Sequence, residues 1–200
     1  MSKLAELYKE IANCNRCGLA RTRFKVVPGE GAEDAEIVFI GEAPGWHENQ
    51  QGRPFVGPAG KLLDELLASI GLERSRVYIA NVIKCRPPDN RDPLPTEIEA
   101  CAPFLERQLQ VIRPRLIVTL GRYSMSKYFP GESISKVHGT FRRVGSTLCY
   151  AMYHPAAALH QPALRQALEA DMRKIPRILA EASQPYHSEQ PEEPRQLTLF

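Results

Sequence analysis

Four short apolar runs, set apart by helix-length stretches, restrict what this chain can build. They are EIVFIG (36–41), VYIANVI (77–83), RLIVTLG (115–121) and TLCYAMYHP (147–155). Each is short, rich in β-branched or aromatic residues and closed by Gly, a polar loop or Pro, which predicts strands. Between and around them the spacing is helical. LAELYKEIA places Leu4, Leu7, Tyr8 and Ile11 on one face, and AGKLLDELLASIGL is amphipathic and ends at Gly71. PLPTEIEACAPFLERQLQVI starts a helix with Thr96 as N-cap and Glu99 three residues on, a capping-box pattern. PALRQALEADMRKIPRILAEA reads as a last helix, kinked near Pro176. Strands that are apolar throughout, alternating with helices, imply a mostly parallel sheet covered on both faces. Such sheets bind ligands beyond the strand carboxyl ends. All four of the richest loops, beginning GEAPG, NVIKCRPPDN, GR and HPAAAL, fall there.

Apolar residues make up 43% and charged residues 24%, which suits a globular domain. There is no apolar run long enough for a membrane span, and the opening MSKLAELYKE lacks the apolar stretch of a secretory signal. A cytoplasmic monomer with reduced thiols and no membrane partner is the expectation. Residues 181–200 hold one Arg and four Glu, so a body of charge +6 carries a tail of −3, and a basic body suits a polyanionic partner. The composition changes at Ser183, which divides the chain into a domain over 1–182 and a disordered tail over 183–200.

Five cysteines are present. Cys149 lies inside a strand and reads as a small core residue. Cys14, Cys17, Cys85 and Cys101 fall in helix ends and loops, spaced C-x2-C and C-x15-C. A redox pair at Cys14 and Cys17 is disfavoured, because the motif follows a helix and not a strand. Four thiolates can hold zinc or a [4Fe–4S] cluster, and spacing alone does not separate the two. Either would tie the N-terminal arm to the 85–101 segment.

The loops carry further chemistry. Gly41 and Gly45 flank a carboxylate in GEAPG, where the lack of a Cβ permits close approach. Phe55, in the Gly-flanked GRPFVGPAGKLL, is an anchor for the core or a platform for a planar ligand. Asn81 sits in a buried strand, where an amide must be satisfied or used, and its donor and acceptor can read a base edge. His154, before Pro155, can donate a proton, contact a phosphate or brace its loop.

Taken together, GEAPG, GRPFVGPAGKLL, NVIKCRPP and HPAAAL, with four cysteines around them, resemble the family 4 uracil-DNA glycosylases, iron–sulfur enzymes of base-excision repair, over roughly residues 4–180. The resemblance implies a three-layer α/β/α fold with a central four-stranded, mostly parallel sheet. It implies uracil-containing DNA, single- or double-stranded, as substrate, and a [4Fe–4S] cluster on Cys14, Cys17, Cys85 and Cys101. It places Gly41, Glu42 and Ala43 in the first catalytic loop, Phe55 as the uracil-stacking ring, Asn81 as the base-reading amide and His154 in the second catalytic loop. Glu48 and Asn90 match positions that line the pocket. Family 1 enzymes have an Asp where Ala43 stands, so Glu42 is the candidate to orient the water. Arg86, Arg91, Arg142 and Arg143 are expected in loops facing DNA, and Ala158 or Leu159 as a wedge into the gap left by a flipped base. The terminal Gln196, Leu197, Leu199 and Phe200 resemble the pentapeptide with which bacterial proteins bind the replication sliding clamp. Rival readings are a non-catalytic iron–sulfur or zinc DNA-binding module, a sister enzyme that traps uracil covalently, and a glycosylase of broader range.

Overall fold

The computed structural model describes residues 2–182. Six strands form one sheet: β1 (Glu30–Gly31), β2 (Ile37–Gly41), β3 (Tyr78–Asn81), β4 (Leu116–Leu120), β5 (Phe141–Val144) and β6 (Thr147–Met152). Their order is β1-β3-β2-β4-β6-β5. The four expected strands are its parallel centre, with β2 pairing β3 and β4, and β4 pairing β6. The expected count of four is corrected to six, because β1 and β5 extend the two edges antiparallel.

Nine helices surround the sheet among the described residues: α1 (Lys3–Ala12), α2 (Trp46–Gln51), α3 (Pro58–Ser69), α4 (Pro95–Ile112), α5 (Arg122–Ser126), α6 (Ile134–Val137), α7 (Pro155–Ala158), α8 (Pro162–Met172) and α9 (Ile175–Ala182). Alternation along the strands divides the core in two. Val38, Ile40, Tyr78, Ala80 and Ile117 meet Leu4, Leu7 and Ile11 of α1 and Phe104 of α4. Ile37, Phe39, Ile79 and Val118 meet Leu62, Leu63 and Leu66 of α3 and Leu168 and Met172 of α8. Burying a Leu or Ile side chain contributes about 1.5–3 kcal/mol, so both faces of the sheet are firmly covered and the three-layer expectation holds.

Local details differ from the sequence reading. The N-cap of α4 is Leu94, not Thr96. Pro95 supplies the preset φ of a first helical residue, so the helix starts two residues early. The capping carboxylate is accordingly Glu97 and not Glu99, accepting from Leu94 N at 2.8 Å. The last expected helix is two helices, interrupted at Arg173 and Lys174. Pro176 then falls in the first turn of α9, where its missing N–H costs nothing. Arg142 and Arg143 lie on the edge strand β5 instead of in a loop.

Candidate active site

Parallel strands end together, so the segments after β2, β3 and β6 meet at one edge of the sheet. Gly41, the last residue of β2, is paired with Asn81, the last of β3. A cavity of about 300 Å³ opens there. Its walls include Glu42, Ala43, Glu48, Phe55, Asn81, Asn90 and His154. Every pocket residue expected from the sequence is therefore brought together except Gly41, which lies beneath the floor. A Cβ on Gly41 would stand 2.4 Å from Asn81 Oδ1 and 2.6 Å from Phe55 Cζ, so glycine is what lets amide and ring close over the strand end.

The Asn81 side chain lines the cavity from the end of β3. Among the described residues, its Oδ1 is a buried polar atom with no hydrogen-bond partner. An acceptor left this way costs about 1–3 kcal/mol, which a ligand N–H can recover. The backbone of Asn81 is held from below. Lys84 is buried, and its Nζ donates to Asn81 O at 2.9 Å and to Gln108 Oε1 at 2.7 Å. Gln108 Nε2 in turn donates to Tyr78 OH and to Pro28 O. A lysine in the apolar run VIKC was the one signal of this network in the sequence.

Phe55 is buried and belongs to the α3-side core, as an anchoring aromatic would, and it also lines the cavity. Its ring stacks against His154, with centroids 5.6 Å apart and planes 27° from parallel. His154 caps the short helix α7, its Nδ1 accepting from Ala156 N at 3.1 Å. With Nδ1 occupied as acceptor, a neutral ring carries its proton on Nε2. Burial pushes the imidazole down to about 4, against a small upward pull from Glu48. The ring is thus neutral at physiological pH and is a hydrogen-bond donor at one nitrogen. Gly121, just after β4, packs beneath it; a Cβ there would stand 3.0 Å from His154 Cβ.

Glu42 is half-buried at the cavity wall. Burial raises its carboxyl above the ordinary range, Asp92 adds to this, and Arg122 opposes it. Glu48, although it lines the cavity, has a scaffolding role: its Oε1 accepts from Val56 N and Gly57 N, both at 2.8 Å. Asn90 Oδ1 accepts from Arg86 Nε at 2.7 Å. Arg91, expected to face DNA, forks onto Glu97 at 2.6 and 2.9 Å and also lines the cavity. Of the two wedge candidates, Ala158 is buried in the core and Leu159 is exposed.

The four cysteines Cys14, Cys17, Cys85 and Cys101 line a second cavity, between the end of α1 and α4, while Cys149 is buried in β6. Two of the sulfurs receive N–H donors: Arg23 Nη1 to Cys85 Sγ and Lys84 N to Cys101 Sγ, each at 3.3 Å. Among the described residues, no three His, Cys, Asp or Glu side chains form a group that holds a single metal ion. Donors of the right chemistry therefore surround one space without converging on a point.

Comparison with known proteins decides the family. Residues 28–175 match the model of the uracil DNA glycosylase superfamily. The chain is 50% identical to a type-4 uracil-DNA glycosylase of Archaeoglobus fulgidus, over 88% of this chain and 92% of that protein. The chain belongs to the type-4 uracil-DNA glycosylases. Similar relatives with the same name occur in Sulfurisphaera tokodaii, 49% identical over 88% of this chain and 84% of that protein, and in Saccharolobus solfataricus, 48% identical over 90% and 88%.

Proposed function

We propose that this type-4 glycosylase takes a uracil flipped out of DNA into the cavity at the strand ends and hydrolyses its N-glycosidic bond, leaving free uracil and an abasic site. The observation that carries this reading is the buried, unpartnered Oδ1 of Asn81 beside the Phe55 ring. Uracil presents N3–H as a donor and O4 as an acceptor, matching Asn81 Oδ1 and Nδ2. Cytosine reverses both. A site built on buried polar partners discriminates by about 10⁴ or more, because the wrong base leaves them unpaired.

Extrusion costs a few kcal/mol, least for a mismatched base. Stacking on Phe55 returns roughly 1–3 kcal/mol. When the N1–C1′ bond breaks, its electron pair goes to the uracil ring and spreads to O2, while the sugar becomes cationic. The Nε2–H of neutral His154 donates to O2 as that charge develops; a fixed donor of this kind is worth about 3–4 kcal/mol. Glu42, as carboxylate, steadies the cationic sugar and orients a water whose oxygen bonds to C1′ and whose proton passes to the carboxylate. Leu159 would fill the vacated stack; its exposure on the same segment as His154 supports it over the buried Ala158.

Cys14, Cys17, Cys85 and Cys101 would hold a [4Fe–4S] cluster. Four thiols line one shared space, two of them with N–H donors, and four Cys thiolates are the ligand set such a cluster takes. When bound, the cluster supplies a cross-link between the N-terminal arm and the segment that carries Asn81. The domain is read as residues 1–182, acting as a cytoplasmic monomer; among the described residues no helix is long and apolar enough to cross a membrane. The clamp peptide at Gln196, Leu197, Leu199 and Phe200 lies outside the described residues. Its proposed role rests on the sequence, and removal of 196–200 should abolish clamp pull-down with excision intact.

The test is incubation with a uracil-containing oligonucleotide followed by alkali. Strand cleavage at uracil, and none at cytosine or thymine, is expected. A purified, brown protein that yields no alkali-labile site would overturn the assignment.

A further inference from the structure

The floor of the cavity is unusual in its backbone. Phe55 has φ +52°, in the left-handed region that L-residues with a Cβ rarely occupy. Such a conformation costs about 1–3 kcal/mol and persists only where the surroundings impose it. Three groups impose it here. Gly60 of α3 leaves room from below, since a Cβ there would fall 1.9 Å from Phe55 O. Glu48 takes the N–H groups of Val56 and Gly57 from the cavity side. Arg74 takes the carbonyls. Its Nη1 donates to Phe55 O at 3.1 Å and its Nη2 to Pro54 O at 2.7 Å.

We propose that Arg74 is a positioning residue for base excision, clamping the Phe55–Val56 peptide against Glu48 so that the Phe55 ring is held in the plane on which the flipped uracil stacks. This rests on the reading of Phe55 as the stacking floor. Within one trans peptide, the C=O and N–H point in opposite directions on a rigid plate. Arg74 holds the oxygen and Glu48 holds the hydrogen, so the plate cannot rotate, and ψ of Phe55 is fixed with it. Arg74 is itself anchored. Its Nη1 also donates to Asp64 Oδ1 at 3.0 Å, and its Nε lies 3.7 Å from Glu30 Oε1. Glu30 is gripped in turn by Arg53 at 2.6 and 2.8 Å. Arg74 does not line the cavity. A rigid planar fork can serve two adjacent carbonyls and a carboxylate together, and a lysine cannot.

The test is a double-mutant cycle on Arg74 and Phe55, read as single-turnover excision from a uracil-containing duplex with protein in excess. Arg74→Gln should slow excision about 10- to 100-fold, the scale of a reacting group misplaced by about 1 Å. Affinity for a duplex without uracil should stay within about twofold of wild type, so that the loss appears in kcat and not in general DNA binding. In a Phe55→Ala background the same change should cost less than about twofold, because the ring it positions is gone. Arg74→Lys, which keeps the charge between Asp64 and Glu30, should recover part of the rate, and it carries the same cycle if Arg74→Gln does not fold. Circular dichroism establishes the folded fraction of each variant. Excision by Arg74→Gln or Arg74→Lys at the wild-type rate overturns the proposal, and so does an equal slowing with and without Phe55. A wild type that excises no uracil defeats the reading of the pocket instead.

Discussion

The two cavities of this molecule are built on opposite plans. The pocket at the strand ends takes its walls from parallel strands whose register is set by the sheet, and its polar groups are braced by other residues of the chain: Glu48 by two amides, His154 by Ala156 N, Asn81 by Lys84. One acceptor, Asn81 Oδ1, is left over. The thiol cavity joins the N-terminal arm to a helix and a loop distant in sequence, with two N–H donors to its four sulfurs. The first site is organised before its ligand arrives. The second has donors in place and a space between them. The difference teaches that a pocket at parallel strand ends is organised by the sheet itself, while the proposed cluster would fasten what the sheet does not reach.

The largest effect is expected at the leftover acceptor. Asn81→Ala should reduce uracil excision about 10³-fold or more and collapse the preference for uracil over cytosine, with the absorbance of the cluster near wild type. Unchanged discrimination would move recognition elsewhere in the pocket. His154→Ala should cost about 10²- to 10³-fold in single-turnover rate, the value of one fixed donor to a developing anion.

The pH profile sharpens the same division. Because burial pushes His154 down to about 4, it is neutral around pH 7 and contributes no limb near its ordinary value. In the proposed mechanism Glu42 acts as a carboxylate, and burial makes it hold its proton to higher pH. The rate should therefore fall on the acid side, with a midpoint above the ordinary carboxylate range. Glu42→Gln should slow excision and flatten that limb; a limb that survives belongs to another group.

Cys101→Ser tests the other region. Cluster absorbance should fall and Tm should drop by about 5 °C or more, on the scale of a few kcal/mol in a domain of this size, while the fraction still folded excises uracil within about tenfold of wild type. A folded, cluster-free variant that has lost all excision would put the cluster inside the recognition machinery. The smallest effect on base discrimination is expected where the regions touch. Lys84 donates its backbone N–H to Cys101 Sγ and its side chain to Asn81 O. Lys84→Met should leave Asn81 O and Gln108 Oε1 without their donor, at about 1–3 kcal/mol each in stability, and should relax base discrimination less than Asn81→Ala does.

Much of this was legible from the sequence, for identifiable reasons. The four central strands are buried on both faces and so read as apolar runs, and parallel pairing puts their following loops at one edge. The edge strands were not legible. Glu30–Gly31 is only two residues long, and FRRV carries the charges with which exposed edges avoid pairing. Glu42, Asn81 and His154 stand out as polar residues at strand ends, whereas Glu48 and Asn90 could be named only through the family resemblance. The supports beneath them could not. Arg74 meets Phe55 across nineteen positions of sequence, and Glu48 reaches two amides eight and nine positions on. Those contacts depend on where α3 and the turn at Arg74–Arg76 pack, and periodicity does not encode that. Thr96 failed as a cap for a local reason, Pro95 being the better first residue of the helix.

The most direct test is to watch the leftover acceptor find its donor. Uracil labelled with ¹⁵N at N3, bound to the wild-type protein, should show an N3 imino proton shifted downfield and protected from solvent exchange, and Asn81→Ala should abolish both. Uracil that binds equally well to Asn81→Ala, or whose imino proton exchanges as freely as in water, would contradict a base read by this amide.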